Sequence, residues 1–207
     1  MIINVEKNFI FIHIPKNAGT EMTRNIGKVY KKNIILQQVD PKTGIDKMHL
    51  YLDVIHKYVN PNLFENAIKF CIIRNPYEKL YSAWNYLRNR YQFSNVNDFI
   101  KYKINKEFIY GLELIPRDAR VHYRPQHTFI YDIEGNKKVD YIIRYENLNN
   151  DIKSLNKKYN YIIPEYGDIA KYAINKYFRY FNSESVQKIN ELYELDFKLF
   201  GYEMILP

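Results

Sequence analysis

Phe9-Ile-Phe-Ile-His-Ile14 is a short apolar run of β-forming residues, and Pro15 to Gly19 interrupts it before a helical stretch ending near Tyr30. The pattern predicts strand, loop, helix. Lys69-Phe-Cys-Ile-Ile73 is a second buried strand, closed by Arg74-Asn75-Pro76, where Asn75 suits a helix N-cap and Pro76 the first helical turn. The helix it opens is expected to run to about Arg90. Val139 to Tyr145 predicts a third strand, and Asn147 a cap for a helix with Leu148, Ile152, Leu155 and Tyr159 on one face. Thr128 to Ile133 and Val139 to Ile143, separated by Glu134-Gly135-Asn136, have the pattern of an antiparallel hairpin. The last helix starts at cap Ser183, packs through Val186, Ile189, Tyr193, Phe197 and Phe200, and stops at Gly201.

Strands that alternate with helices imply an α/β domain with a central, mostly parallel sheet, whose ligands lie beyond the carboxyl ends of the strands. No repeat, low-complexity tract or linker divides the 207 residues, so a single domain over 1–207 is expected. Met1 to Lys7 already carries Glu6 and Lys7, and no apolar run nears the roughly 20 residues of a membrane span. Neither signal peptide nor transmembrane segment is expected; contact with a membrane surface stays open. Cys71 is the lone cysteine, which rules out an internal disulfide or a cysteine-rich zinc site and makes a reducing cytoplasm the simplest location.

The net charge of +8 favours anionic ligands without naming one. No helix-turn-helix turn, zinc-finger spacing or aromatic RNA-binding signature accompanies it, so no nucleic-acid partner is expected. No compact Asp/Glu or His/Cys cluster has metal-ligand spacing, so no metal is expected either.

Pro15-Lys-Asn-Ala-Gly-Thr20 gathers backbone N–H groups at a helix N-terminus, with Lys16 as an added positive charge. It is not a Walker A loop: the opening glycine is missing, and Lys16 precedes Gly19. One glycine and one lysine fit an ordinary connecting turn equally well. Arg74, at the second strand's carboxyl end, and Ser82, eight residues later, together offer a bidentate cation and a hydroxyl donor for a phosphate. Taken singly, each reads as a surface residue.

Phe11-Ile-His-Ile-Pro-Lys-Asn-Ala-Gly-Thr20 resembles the 5′-phosphosulfate loop of sulfotransferases that use 3′-phosphoadenosine 5′-phosphosulfate (PAPS), and Ile73-Arg-Asn-Pro-Tyr-Glu-Lys-Leu-Tyr-Ser82 resembles their 3′-phosphate motif. His122-Tyr-Arg-Pro-Gln126, Tyr145-Glu-Asn-Leu148 and Tyr193 to Tyr202 resemble segments of the carbohydrate sulfotransferase branch, sulfotransferase family 2. The chain departs from that pattern at Asn17, where the branch commonly has Thr, and at Glu21, where it commonly has Ser or Thr. A carboxylate beside a phosphosulfate repels it, so Glu21 must point away or meet a cation.

The resemblance implies the three-layer, P-loop NTPase-like sulfotransferase sandwich, with PAPS as donor. It places Lys16, Asn17, Ala18, Gly19 and Thr20 on the 5′-phosphosulfate and Arg74 with Ser82 on the 3′-phosphate. Transfer to a hydroxyl needs a base, and His13, His49, His56, His122 and His127 are the candidates. His13, inside the first strand, reads as a packed or loop-orienting residue. His49 is preferred because Met48-His-Leu-Tyr-Leu-Asp53 resembles the base-bearing Gly-His-Val-Ser-Tyr-Leu-Asp stretch of heparan-type uronosyl sulfotransferases, although the glycine is missing here. His56, two helical turns on, is placed to support it; a surface helix histidine is the alternative for His49.

By this reading Lys16 neutralises the leaving group of an in-line displacement. The acceptor is expected to be a carbohydrate or glycolipid hydroxyl, since Tyr outnumbers Phe 21 to 12 and Lys103 to His127 sets Arg117, Arg120 and Arg124 among aromatics. Arg120, His122 and Arg124 are the expected acceptor contacts. A tyrosine-protein or small-molecule sulfotransferase, or a non-catalytic module that binds nucleotides or nucleic acid, is the alternative.

Overall fold

A computed structural model describes residues 1–31, 33–35, 47–55, 57–111, 119–167 and 178–207. Five strands form one sheet in the order β3-β1-β2-β4-β5, where β1 is Ile2–Asn4, β2 Phe9–Ile12, β3 Asn33–Ile35, β4 Ile68–Ile73 and β5 Tyr141–Arg144. β2, β4 and β5 pair in parallel, while β1 runs antiparallel to both β2 and β3, so four strands share one direction and β1 opposes them. The sheet is α/β and mostly parallel; the chain enters it through the antiparallel pair β1 and β2, which the apolar pattern does not announce.

Strand residues alternate between two faces. Phe9, Phe11, Phe70, Ile72 and Ile143 pack against Met22 and Ile26 of α1 (Gly19–Val29) and Leu148, Ile152 and Leu155 of α7 (Leu148–Tyr159). On the opposite face Ile10, Ile12, Cys71 and Ile73 meet Val54 and Ile55 of α2 (Leu52–Ile55), Phe64 of α3 (Pro61–Asn66) and Phe129. Helices cover both faces, which makes three layers. A further apolar cluster joins Leu80, Ala83 and Trp84 of α4 (Pro76–Tyr91) to α5 (Val96–Tyr102), α6 (Lys106–Tyr110) and α8 (Ser183–Leu192) through Phe99, Phe108 and Ile189. Each such side chain, when fully buried, contributes about 1.5–3 kcal/mol.

Three local expectations differ from the structure. The final helix divides at Tyr193, whose φ of −112° and ψ of 19° end α8 and leave α9 (Glu194–Phe200) as a separate helix; the cap is Asn182, whose side chain accepts from Ser185 N. The Tyr193 hydroxyl donates to Tyr123 O at 2.6 Å, a long-range bond at the junction of the two helices. The hairpin reduces to one bridge, Tyr131 with Lys137, because β5 pairs with β4 instead and Gln126–Phe129 winds into a 3-10 turn. Asn147 makes no capping bond and donates to Asp151 Oδ1 at 2.7 Å. Among the described residues no helix is long and apolar enough to cross a membrane.

Candidate active site

The parallel strands β2 and β4 end side by side, with Ile12 opposite Cys71 as their last pair. Their following loops diverge above the sheet, where strand carboxyl ends and helix N-termini bring unpaired N–H groups together. A cavity of about 550 Å³ opens there, within the usual ~300–1,000 Å³ of ligand sites. His13, Lys16, Ala18, Gly19 and Thr20 line it from the segment after β2, Arg74 from the end of β4, Ser82 from the helix that follows, and His49 and His122 complete the wall.

Lys16 and Ala18 both adopt left-handed φ, 68° and 60°, which turns the loop into a concave nest of N–H groups before α1. Strain of this kind persists only where surroundings enforce it. Here the Tyr166 hydroxyl donates to Ala18 O at 2.9 Å, and the buried Asn17 side chain donates to Ile72 O at 2.8 Å and Gln126 Oε1 at 2.7 Å. Asn17 therefore supports the loop from behind; its side chain is not part of the cavity wall. Gly19 is required by contact: a Cβ there would sit 2.0 Å from Cδ2 of the His13 ring.

Arg74 is buried and oriented before any ligand arrives. Its guanidinium donates to Glu78 Oε2 and to Lys16 O, both at 3.3 Å, and lies 4.3 Å from the centroid of the Tyr145 ring. Burial and the neighbouring Arg74 pull the Lys16 ammonium down to about 8, and its Nζ rests 3.9 Å over the Tyr86 ring. Two cations thus lie side by side at the cavity, which favours an anion, although Glu78 offsets part of the charge of Arg74. Glu21 also borders the cavity, and the Arg24 guanidinium donates to its carboxylate, so the acid meets a cation.

His49 sits at the end of the 3-10 turn Lys47–His49 and is buried, not on a surface helix. Its Nδ1 lies 3.0 Å from His13 O, and because a carbonyl only accepts, Nδ1 carries the hydrogen and Nε2 keeps its lone pair. His122 is arranged alike, with Nδ1 3.1 Å from Ala119 O. The rings form a row, His13 to His49 at 4.6 Å and His49 to His122 at 5.3 Å between centroids. Burial holds His49 down to about 4 and His122 to about 3, so both rings are neutral near pH 7. His56 and Arg117 lie outside the described residues.

Arg120 and Arg124 do not line this cavity. Arg124 is buried with Nε donating to Thr128 Oγ1 at 3.0 Å and its guanidinium 3.7 Å over the Tyr51 ring, and it borders a second cavity of about 440 Å³ with His127 and Leu199. Two residues that position the site lie in the segments that carry the resemblance but are not among the expected site residues. Lys79, buried in α4 and brought down to about 7 by that burial, donates to His122 O and Arg124 O, each at 2.9 Å. Gln126 binds both Asn17 and the backbone of Arg74. The available signal for each is its membership of a matched segment, Ile73 to Ser82 for Lys79 and His122 to Gln126 for Gln126.

Among the described residues no group of three or more His, Cys, Asp and Glu could hold a metal ion. Neither the curated proteins nor the solved structures compared with the chain give a match. The sequence model of the sulfotransferase family does match, over residues 1–203, which includes both loops and every histidine of the row; the chain belongs to the sulfotransferase family, PAPS-dependent enzymes that transfer a sulfuryl group.

Proposed function

We propose that the chain transfers a sulfuryl group from PAPS to a hydroxyl of a carbohydrate, at the cavity where the two loops and the histidine row meet. That convergence is the observation that carries the reading. The donor supplies sulfur already bonded to a good leaving group, so the chain's residues bind, orient and handle one proton. The N–H nest from Lys16 to Thr20 suits a 5′-phosphosulfate, while Arg74, whose guanidinium donates to Lys16 O, and Ser82 suit a 3′-phosphate.

His49 Nε2 takes the acceptor's hydroxyl proton as the oxygen–sulfur bond forms, and the bond from sulfur to the bisphosphate breaks. Lys16 neutralises the charge left on the departing oxygen, an interaction worth about 3–4 kcal/mol when it acts only in the transition state. A His49 held neutral is in its base form at pH 7, and polyanion binding beside it raises its affinity for the proton. His122, level with it, contacts the acceptor. The 16% aromatic content, dominated by tyrosine, supports a sugar, whose apolar ring face and hydroxyl edge fit such residues.

Labelled PAPS incubated with glycans, glycolipids, phenols and tyrosine peptides tests this. Sulfate on an oligosaccharide is expected; sulfate only on phenols or peptides rejects the acceptor. His49→Ala should then lower turnover by roughly 10² to 10⁴ with bisphosphate affinity kept, the usual contribution of a positioned base. A normal rate in His49→Ala beside an inactive His122→Ala would move the base to His122.

A further inference from the structure

The ladder between β2 and β4 ends at Ile12 and Cys71, before either loop reaches the cavity. Beyond that point no strand pairing fixes how far apart the two loops stand. Gln126 and Asn17 occupy the gap. Gln126 Oε1 accepts from Arg74 N at 2.9 Å and from Asn17 Nδ2 at 2.7 Å, and Gln126 Nε2 donates to Arg74 O at 2.7 Å and Asp196 Oδ2 at 3.5 Å. The second Asn17 Nδ2 hydrogen goes to Ile72 O at 2.8 Å.

We propose that Gln126 is a positioning residue for donor binding: its carboxamide sets the spacing and orientation of the Lys16 loop relative to Arg74, and Asp196 of α9 sets Gln126. The proposal rests on the reading that these two loops hold the donor. Gln126 is completely buried, and both lone pairs and both hydrogens of its amide are matched, two donors facing the oxygen and two acceptors facing the nitrogen. That fully used set specifies an amide of this length. Glutamate offers no donor to Arg74 O and sets a second carboxylate against Asp196; asparagine is one methylene short. Because one side chain grips both the N–H and the C=O of Arg74, it fixes the peptides on either side, and so the direction in which the guanidinium leaves the chain.

Asp196 continues the linkage. It is completely buried in α9 and accepts from Gln126 N at 2.7 Å, His127 N at 2.9 Å and His127 Nδ1 at 2.8 Å. A buried network of this kind rigidifies its members and is costly to leave half made.

The test is calorimetry of adenosine 3′,5′-bisphosphate binding to the full chain, with melting curves for every variant. Gln126→Ala should lower affinity about tenfold, since two buried groups lose their partners. Arg74→Ala should also lower it, and the double variant should lose clearly less than the product of the two, because residues in one network are not additive. A folded Gln126→Ala that binds normally, or losses that simply multiply, overturns the proposal. Should Gln126→Ala fail to fold, Asn17→Ala, which leaves the Gln126–Arg74 pair intact, should weaken binding about threefold with the same shortfall against Arg74→Ala; normal binding or multiplied losses there overturn it equally. Normal binding by Arg74→Ala instead would reject the two-loop reading itself, and the proposal with it, whatever Gln126→Ala does.

Discussion

The two loops that meet at the cavity are built by different means. The first uses backbone: two non-glycine residues with left-handed φ, 68° at Lys16 and 60° at Ala18, then a Gly19 with no room for a side chain. The second uses side chains: Asn75 caps α4 by accepting from Tyr77 N at 3.0 Å, Pro76 follows at the first turn, and Arg74 brings the charge with Glu78 and Tyr145 against its guanidinium. A left-handed non-glycine residue costs about 1–2 kcal/mol, so the first loop stores strain that Asn17 and Tyr166 must restrain. The second is relaxed and stores charge. Backbone changes should therefore damage the first loop and charge removal the second.

The largest expected effect is at Gly19. An added methyl would lie 2.0 Å from the His13 ring, which is buried and cannot retreat, so Gly19→Ala should cost about 3 kcal/mol in stability, the upper end of overpacking, and abolish bisphosphate binding. Gly27, in the same helix, meets nothing within 4 Å of a built Cβ, and Gly27→Ala should stabilise by about 0.5–1 kcal/mol. Chemical denaturation of both variants checks the contrast. A Gly19→Ala protein as stable and as tightly binding as the native one would mean that the first loop adapts and is not backbone-built.

Next comes the second loop. Arg74→Ala should weaken adenosine 3′,5′-bisphosphate by about 1.5–3 kcal/mol, and Ser82→Ala, a neutral hydroxyl, by about 0.5–1.5 kcal/mol. Melting temperature should move little in Ser82→Ala. If Ser82→Ala costs more affinity than Arg74→Ala, charge is not what the second loop contributes.

Both loops could be read from the sequence because each is a local event, a strand end, a cap and a turn within a few residues. The same holds for α1, α4 and the buried face of α7. What could not be read was settled at long range. The hairpin pattern after Thr128 is locally sound, yet Tyr141–Arg144 gains a buried parallel neighbour in β4, anchored where Asp140 accepts from Lys69 N at 2.7 Å. The stripe through Tyr193 continues at helical spacing, but the backbone leaves the helix there, with φ −112° and ψ 19°. Gln126 and Lys79 fall in segments that carry the resemblance, but their roles depend on groups 43 to 109 positions away. Asn17 belonged to the right loop, but its side chain turns inward, where Nδ2 donates to Ile72 O and Gln126 Oε1.

The smallest expected effect concerns pH and separates the loops by their cations. Burial, reinforced by Arg74, holds Lys16 down to about 8 from its ordinary 10.5. The charged form is what an anion needs, so bisphosphate affinity should fall as pH rises through about 8, by roughly five- to tenfold between pH 7 and 9 for one proton. Stability of the unliganded protein has the opposite sign for this group. Between about 8 and 10.5 the unfolded chain binds the proton more fully than the folded one, so Lys16 makes the fold more stable as pH rises there. Weaker binding at pH 9 would then occur without unfolding, which melting curves at each pH verify. Lys16→Arg keeps its charge over this range and should flatten the affinity profile, whereas Arg74→Ala should lower the whole profile and, by removing the neighbouring charge that depresses Lys16, shift its midpoint upward. A Lys16→Arg profile as steep as the native one would transfer the titration to another group, with Lys79, buried and brought down to about 7, the next to replace.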